Sequence, residues 1–103
     1  IDRFLKDLGA AYAYLTFDID CVDPAYAPGT GTPSVGGFTS PEALALLRHL
    51  HHANPSLNIV GADDVEVHPD RDHGGITSLL AGHIMFEILC LDALRARGSR
   101  TGS

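Results

Sequence analysis

Positive charge is scarce in this sequence. Seven Lys and Arg stand against thirteen Asp and Glu, for a formal net charge of −6. Nucleic-acid binders need a basic face, so this balance argues against that partner. Cysteine is scarce too, with only Cys21 and Cys90. Neither belongs to a CxxC or to the Cys/His spacing of a structural zinc site. Free thiols in a reducing compartment are the default. No apolar run reaches the roughly 18–20 residues needed to span a bilayer. No signal peptide or lipidation motif is visible. A cytoplasmic protein without a membrane partner is therefore expected. An initiator methionine is missing as well: Ile1–Gly9 reads as the last turns of a helix closed by a glycine. That start implies a piece of a longer polypeptide.

What is present is a globular composition, 45% apolar over 103 residues, enough for one domain or part of one. Tyr12 to Ile19 reads as a buried strand. The stretch 23–37 is a loop rich in Gly, Thr and Pro, stiffened by Pro24, Pro28 and Pro33. A long ordered loop in a compact domain is usually functional. Thr39 with Glu42 forms a possible capping box, with Pro41 in the first turn. Ala43, Leu46, Leu47 and Leu50 then mark one buried helix face. The helix should stop before Asn54-Pro55. His49, His51 and His52 fall in its last turns and read as exposed helix-end residues. Leu57 to Ala62 predicts a second strand, and about Ile76 to Ala96 a helix apolar nearly all round, buried on several sides. A small polar tail from Arg95 should fray.

Strand, helix, strand, helix is the order of a parallel sheet with covering helices. Ligands of such sheets bind beyond the carboxyl ends of the strands. Both polar clusters lie there: Asp18, Asp20 and Asp23 after the first strand, Asp63, Glu66 and His68 after the second. On an extended strand, residues two apart share a side, so Asp18 and Asp20 would bring two carboxylates together. Two close carboxylates repel unless a cation lies between them, and an oxygen-only set favours Mg²⁺ or Mn²⁺. A lone DxD is equally a turn start, and a DxD sugar-nucleotide transferase leaves the glycine-rich loop and Glu66 unexplained.

The longer pattern is more specific. Thr16-Phe-Asp18-Ile-Asp20-Cys-Val-Asp23-Pro24, then Ala27-Pro-Gly-Thr-Gly-Thr-Pro33 and Gly36-Gly37, then Asp63-Asp-Val-Glu66-Val, resembles the ureohydrolases, the arginase and agmatinase family. The resemblance runs from about Tyr14 to Leu91. It implies a three-layer α/β/α fold with a parallel sheet, of which residues 1–103 would be the C-terminal β-α-β-α part of a single domain. It also implies a hydrolase that uses two Mn²⁺ ions sharing a hydroxide to split a guanidinium compound into urea and an amine. By the same resemblance, Asp18 would bridge both ions and Asp20 would ligate one. Glu66 would hold the guanidinium, Thr32 would line the substrate pocket, and Asp23 would pin the turn. The other metal ligands and a proton-relay His would lie upstream. Within the family, Ala27 to Pro33 is more similar to agmatinase than to arginase. That implies agmatine as substrate, giving putrescine, with guanidinobutyrate or another linear guanidino acid as the alternative. A truncated, inactive remnant is the competing reading. The full-length protein is expected to be a homo-oligomer. Departures from the pattern are Thr16 in place of Ser, Asp64 at a position that is usually apolar, and His68, read as a loop residue beside Pro69 or a substrate contact.

Overall fold

The computed structural model describes residues 1–101 except Ala10 and Ser56. Helix α1, Asp2–Leu8, ends at Gly9, whose φ of 71° and ψ of −148° only glycine adopts at little cost. Strand β1 is Ala11–Asp18 and is followed by a 3₁₀ turn, Ile19–Cys21. Helix α2, Ser40–Ala53, leads to strand β2, Leu57–Val65. A second 3₁₀ turn, Pro69–Arg71, precedes helix α3, Ile76–Thr101. The strands pair in parallel, from Ala11 with Leu57 to Asp18 with Val65, and the register shifts once after Ala13. The chain is α/β, as the alternation of elements required.

Local chemistry explains the boundaries of α2. The Thr39 hydroxyl accepts from the Glu42 amide and the Glu42 carboxylate accepts from the Thr39 amide, a complete capping box with Pro41 in the first turn. Such a cap is worth about 1 kcal/mol. At the far end, Asn54 donates to the Leu50 carbonyl at 3.0 Å. His49 lies 2.5 Å from Asp2, so the end of α2 holds the start of α1. The bond from His49, then the one from Asn54, keeps the Asp2 carboxyl below its ordinary range.

Alternation along β1 sorts its residues between two faces. Phe17 enters a core with Ile19, Val22, Ala27, Ala43, Leu47 and Ile84, and Leu15 packs against it. On the opposite face Tyr12 and Tyr14 are 81% and 61% exposed. The strand read as buried is therefore buried on one side only, because both helices that follow it cover the same face. Leu46 also departs from expectation. It is exposed and lines an open cleft of about 580 Å³ along β1, shared with Phe17, Asp18 and Cys21.

Helix α3 packs Ile84 into the core, and its Glu87 pairs with Arg48 of α2. Its outer side is open: Leu79, Phe86 and Leu89 are all more than half exposed. The expected burial on several sides is thus not met, since a two-stranded sheet offers this helix only one side. The helix also continues past Ala96 to Thr101, and the rest of the polar tail, Gly102 and Ser103, lies outside the described residues. Ile76–Arg97 has a mean hydropathy of 1.5 and is long and apolar enough to cross a membrane by length and composition.

Candidate functional site

Parallel pairing brings the two polar clusters to one edge of the molecule. Asp18 ends β1 opposite Val65 of β2, and Glu66 is the next residue. Asp18 and Asp20 come together by a different route from strand alternation. The strand stops at Asp18, and Asp20 sits in the 3₁₀ turn. Asp18 caps that turn, its Oδ1 accepting from the Asp20 amide at 3.1 Å. A capping aspartate competes well with strand extension because it satisfies an otherwise unpaired amide. Ile19, wholly buried, anchors the turn from beneath.

The glycine-rich loop closes over this turn. Asp23 Oδ1 accepts from the Ala25 amide and Oδ2 from the Gly36 amide, each at 2.9 Å. These amides, Ala25 before Gly36, hold the Asp23 carboxyl below its ordinary range. Asp23 therefore ties the loop's two ends together. Phe38 adds backbone bonds to Cys21 and Asp23. Glycine is needed beside it, because a Cβ on Gly37 would stand 2.6 Å from the Cys21 carbonyl oxygen. The loop then returns Thr32 to the first cluster, where its hydroxyl donates to Asp20 Oδ2 at 2.8 Å.

The second cluster is built differently. Glu66 has φ 72° and is the one non-glycine among the described residues with positive φ. Side chains at such positions carry a backbone cost of about 1–3 kcal/mol and concentrate at functional sites. Just beyond it, Val67 bridges Thr30 of the loop, and the His68 amide donates to the Gly29 carbonyl at 2.7 Å. The contact made by His68 is thus a backbone one.

Asp63 and Asp64 point to opposite faces of β2. Asp63 accepts from the hydroxyls of Thr16 at 2.5 Å and Tyr14 at 3.0 Å, stitching the strands together on the open face. The bond to Asp63 raises the Tyr14 phenol. A polar row of Tyr12, Tyr14, Thr16 and Asp18 at alternate positions signalled this face in the sequence, though Asp63 was not singled out for it. Asp64 faces the helices. Both of its carboxylate oxygens are buried and find no partner among the described residues. Burial first, then the charges of Asp18 and Asp63, push its carboxyl up to about 6. Burial also raises the Cys21 thiol, with Asp18, Asp20 and Asp64 adding to it. A thiol held protonated is a poor nucleophile.

Hard oxygen donors at Asp18 and Asp20 suit an ion such as Mg²⁺ or Mn²⁺. Asp18 Oδ2 and Asp20 Oδ1 accept no hydrogen bond from the described residues. Among those residues no three His, Cys, Asp or Glu side chains converge to hold an ion. The pair therefore fits as part of a donor set, to be completed from elsewhere.

Geometry and motif point to one class of protein, α/β proteins that gather carboxylates at the carboxyl ends of a parallel strand pair. The sequence matches the arginase family over residues 1–91, and the chain belongs to that family. It is 52% identical over 91 residues to the agmatinase of Chromobacterium violaceum, covering 88% of this chain and 27% of the relative. It is 51% identical over 92 residues to the guanidinopropionase of Pseudomonas aeruginosa, covering 89% of this chain and 28% of the relative. The solved proclavaminate amidino hydrolase of Streptomyces clavuligerus superposes with a TM-score of 0.80 at 50% identity, over 92% of this chain and 31% of that one. The chain thus spans less than a third of the length of these relatives.

Proposed function

We propose that this chain is the C-terminal part of a Mn²⁺-dependent amidinohydrolase that converts agmatine to putrescine and urea. The observation that carries the reading is the meeting of Asp18, Asp20, Thr32 and the left-handed Glu66 at one end of a parallel strand pair. Relatives about half identical to this chain support it. In this reading Asp18 and Asp20 would hold the ions. When bound, two such ions would make water nucleophilic near neutral pH.

The chain's own residues supply the rest. A guanidinium is a planar cation with paired N–H donors, and a carboxylate is its geometric match. Glu66, exposed just past the end of β2, would hold that cation beside the ion-holding carboxylates. Thr32 spends its proton on Asp20, which aims one carboxylate oxygen and leaves the other for an ion. The net charge of −6 favours a cationic substrate. The similarity to guanidinopropionase supports a linear guanidino acid as the second substrate class. A cytoplasmic homo-oligomer completes the proposal.

The competing reading is a truncated, inactive remnant. The full-length protein that carries this chain separates the two. Given Mn²⁺, it should release urea from agmatine, and Asp18→Asn or Glu66→Ala should abolish release while the protein stays folded. Urea release unchanged in both variants would refute the roles, and none from the folded wild type would favour the remnant.

A further inference from the structure

The loop that carries Thr32 is held from behind by residues with no part in the proposed reaction. The Gly29 amide donates to Thr77 Oγ1 at 2.8 Å, and the Arg71 guanidinium donates to the Gly31 carbonyl at 3.2 Å. Thr77 is wholly buried in the first turn of α3. Asp72 stands behind it. Its Oδ1 accepts from the amides of Thr77 at 2.9 Å and His73 at 2.8 Å. Its Oδ2 accepts from the amide and hydroxyl of Ser78, each at 3.0 Å. Partial burial pushes this carboxyl up, but the amides and hydroxyls of Thr77 and Ser78 outweigh it and hold Asp72 well below the ordinary carboxylate range. Asp72 is therefore a fixed anion with every donor in place, and Thr77 is locked against it.

The contact is also tight. A Cβ on Gly29 would lie 2.9 Å from both Asp72 Cβ and Thr77 Oγ1. Only a glycine lets the loop backbone come close enough to reach the threonine. Three residues later the same loop delivers the Thr32 hydroxyl to Asp20. The physical line runs from the start of α3 through Thr77 to Gly29, Thr32 and Asp20.

We infer that Thr77, backed by Asp72, is a positioning residue: it pins the loop at Gly29 so that Thr32 stays on Asp20, and thereby sets the affinity of the site for its metal. The step from Asp20 to metal affinity rests on the proposed function, whereas the pinning of the loop does not. Groups that orient metal ligands typically change metal affinity or activity by about 10- to 100-fold when altered.

The test uses the full-length protein with Thr77→Val, Thr77→Ser and Gly29→Ala. Two readouts are taken below the unfolding temperature: hydrogen exchange of the loop amides at 29–32, and the Mn²⁺ dissociation constant by calorimetry. Thr77→Val should speed loop exchange about tenfold or more and weaken Mn²⁺ by about 10-fold or more. Gly29→Ala should do the same with no polar atom removed. Thr77→Ser, which keeps the hydroxyl, should stay within about threefold of wild type on both. A purely structural threonine would lower the unfolding temperature and leave the folded protein's Mn²⁺ affinity alone. The inference is overturned if folded Thr77→Val keeps wild-type Mn²⁺ affinity or wild-type loop exchange, or if Thr77→Ser loses as much as Thr77→Val. If Thr77→Val does not fold, Asp72→Asn is judged by the same two readouts. If the wild type takes up no Mn²⁺, the proposed function fails, and loop exchange alone decides whether Thr77 holds the loop.

Discussion

The two strand ends that meet at the site are built in opposite ways. After β1, each acid is engaged: Asp18 caps a turn, Asp20 receives Thr32, and Asp23 takes two loop amides. At the end of β2 and just past it, Asp63 is engaged by Tyr14 and Thr16, but Asp64 has two buried oxygens with no partner among the described residues and Glu66 has a left-handed backbone. The first end is relaxed and gathers its loop through local bonds. The second holds conformations and burials that cost stability. Costs of this kind persist where the surrounding fold overdetermines them, and they collect at functional sites. In the proposed reading this difference becomes a division of labour: a rigid bed that would hold ions at β1, and a strained arm that would hold substrate at β2.

The largest expected effect tests that division directly. In the full-length protein, Asp18→Asn removes an oxygen proposed to hold an ion, and a loss of several kcal/mol of ion stabilisation corresponds to a fall in urea release on the order of 10³-fold or more. Mn²⁺ content should fall with it. Glu66→Ala should lower turnover by a similar order while Mn²⁺ content, read by metal analysis, stays at the wild-type level. Equal metal loss in both variants would erase the distinction between the ends.

Asp64 is the next contrast. Its carboxyl is raised to about 6 from an ordinary 3.8, burial being the main cause. Below the ordinary value both folded and unfolded chains carry the proton, and Asp64 has no effect. Between the two values the unfolded chain ionises first, so the folded protein holds more protons and stability falls as pH rises. Above about 6 the penalty is complete. A displacement of this size corresponds to about 3 kcal/mol, and with solvent screening of a partly exposed residue about 1–2 kcal/mol remains. Asp64→Leu in the metal-free protein should therefore gain about 1–2 kcal/mol at pH 7 and almost nothing at pH 4. Chemical denaturation across that range reads it, and a gain that does not vary with pH sinks the assignment.

How far these features were legible follows from their range along the chain. The capping box at Thr39 and Glu42 and the stop at Gly9 are local, and each is set by neighbours within a few residues. The parallel pairing was legible from the order of elements, and the meeting of the two polar clusters followed from it. The Asp18–Asp20 geometry was misread because a cap and a strand compete over the same residues, and the cap wins where Ile19 is buried. The exposed sides of Leu46 and α3 could not be seen in advance, since apolar periodicity says which face wants burial and not whether a neighbour covers it. Asp72, Thr77 and Gly29 were missed for a related reason. Gly29 and Thr77 lie 48 residues apart, and no spacing rule reaches across a tertiary contact of that kind.

The smallest effect isolates the strain at Glu66 from its chemistry. At φ 72° any residue with a Cβ pays a steric penalty that glycine avoids. Glycine also gives the unfolded chain more freedom, which takes back about 0.4–1 kcal/mol. Alanine and glycine both remove the carboxylate, so both should abolish turnover. They differ only in the backbone term. Set against a left-handed cost of about 1–2 kcal/mol, Glu66→Gly should be more stable than Glu66→Ala by about 1 kcal/mol, and at least as stable as wild type. Denaturation of the three proteins side by side gives the answer. A glycine variant no more stable than the alanine variant would mean that the backbone at the end of β2 is unstrained, and the two strand ends would then differ in the buried carboxylate of Asp64 alone.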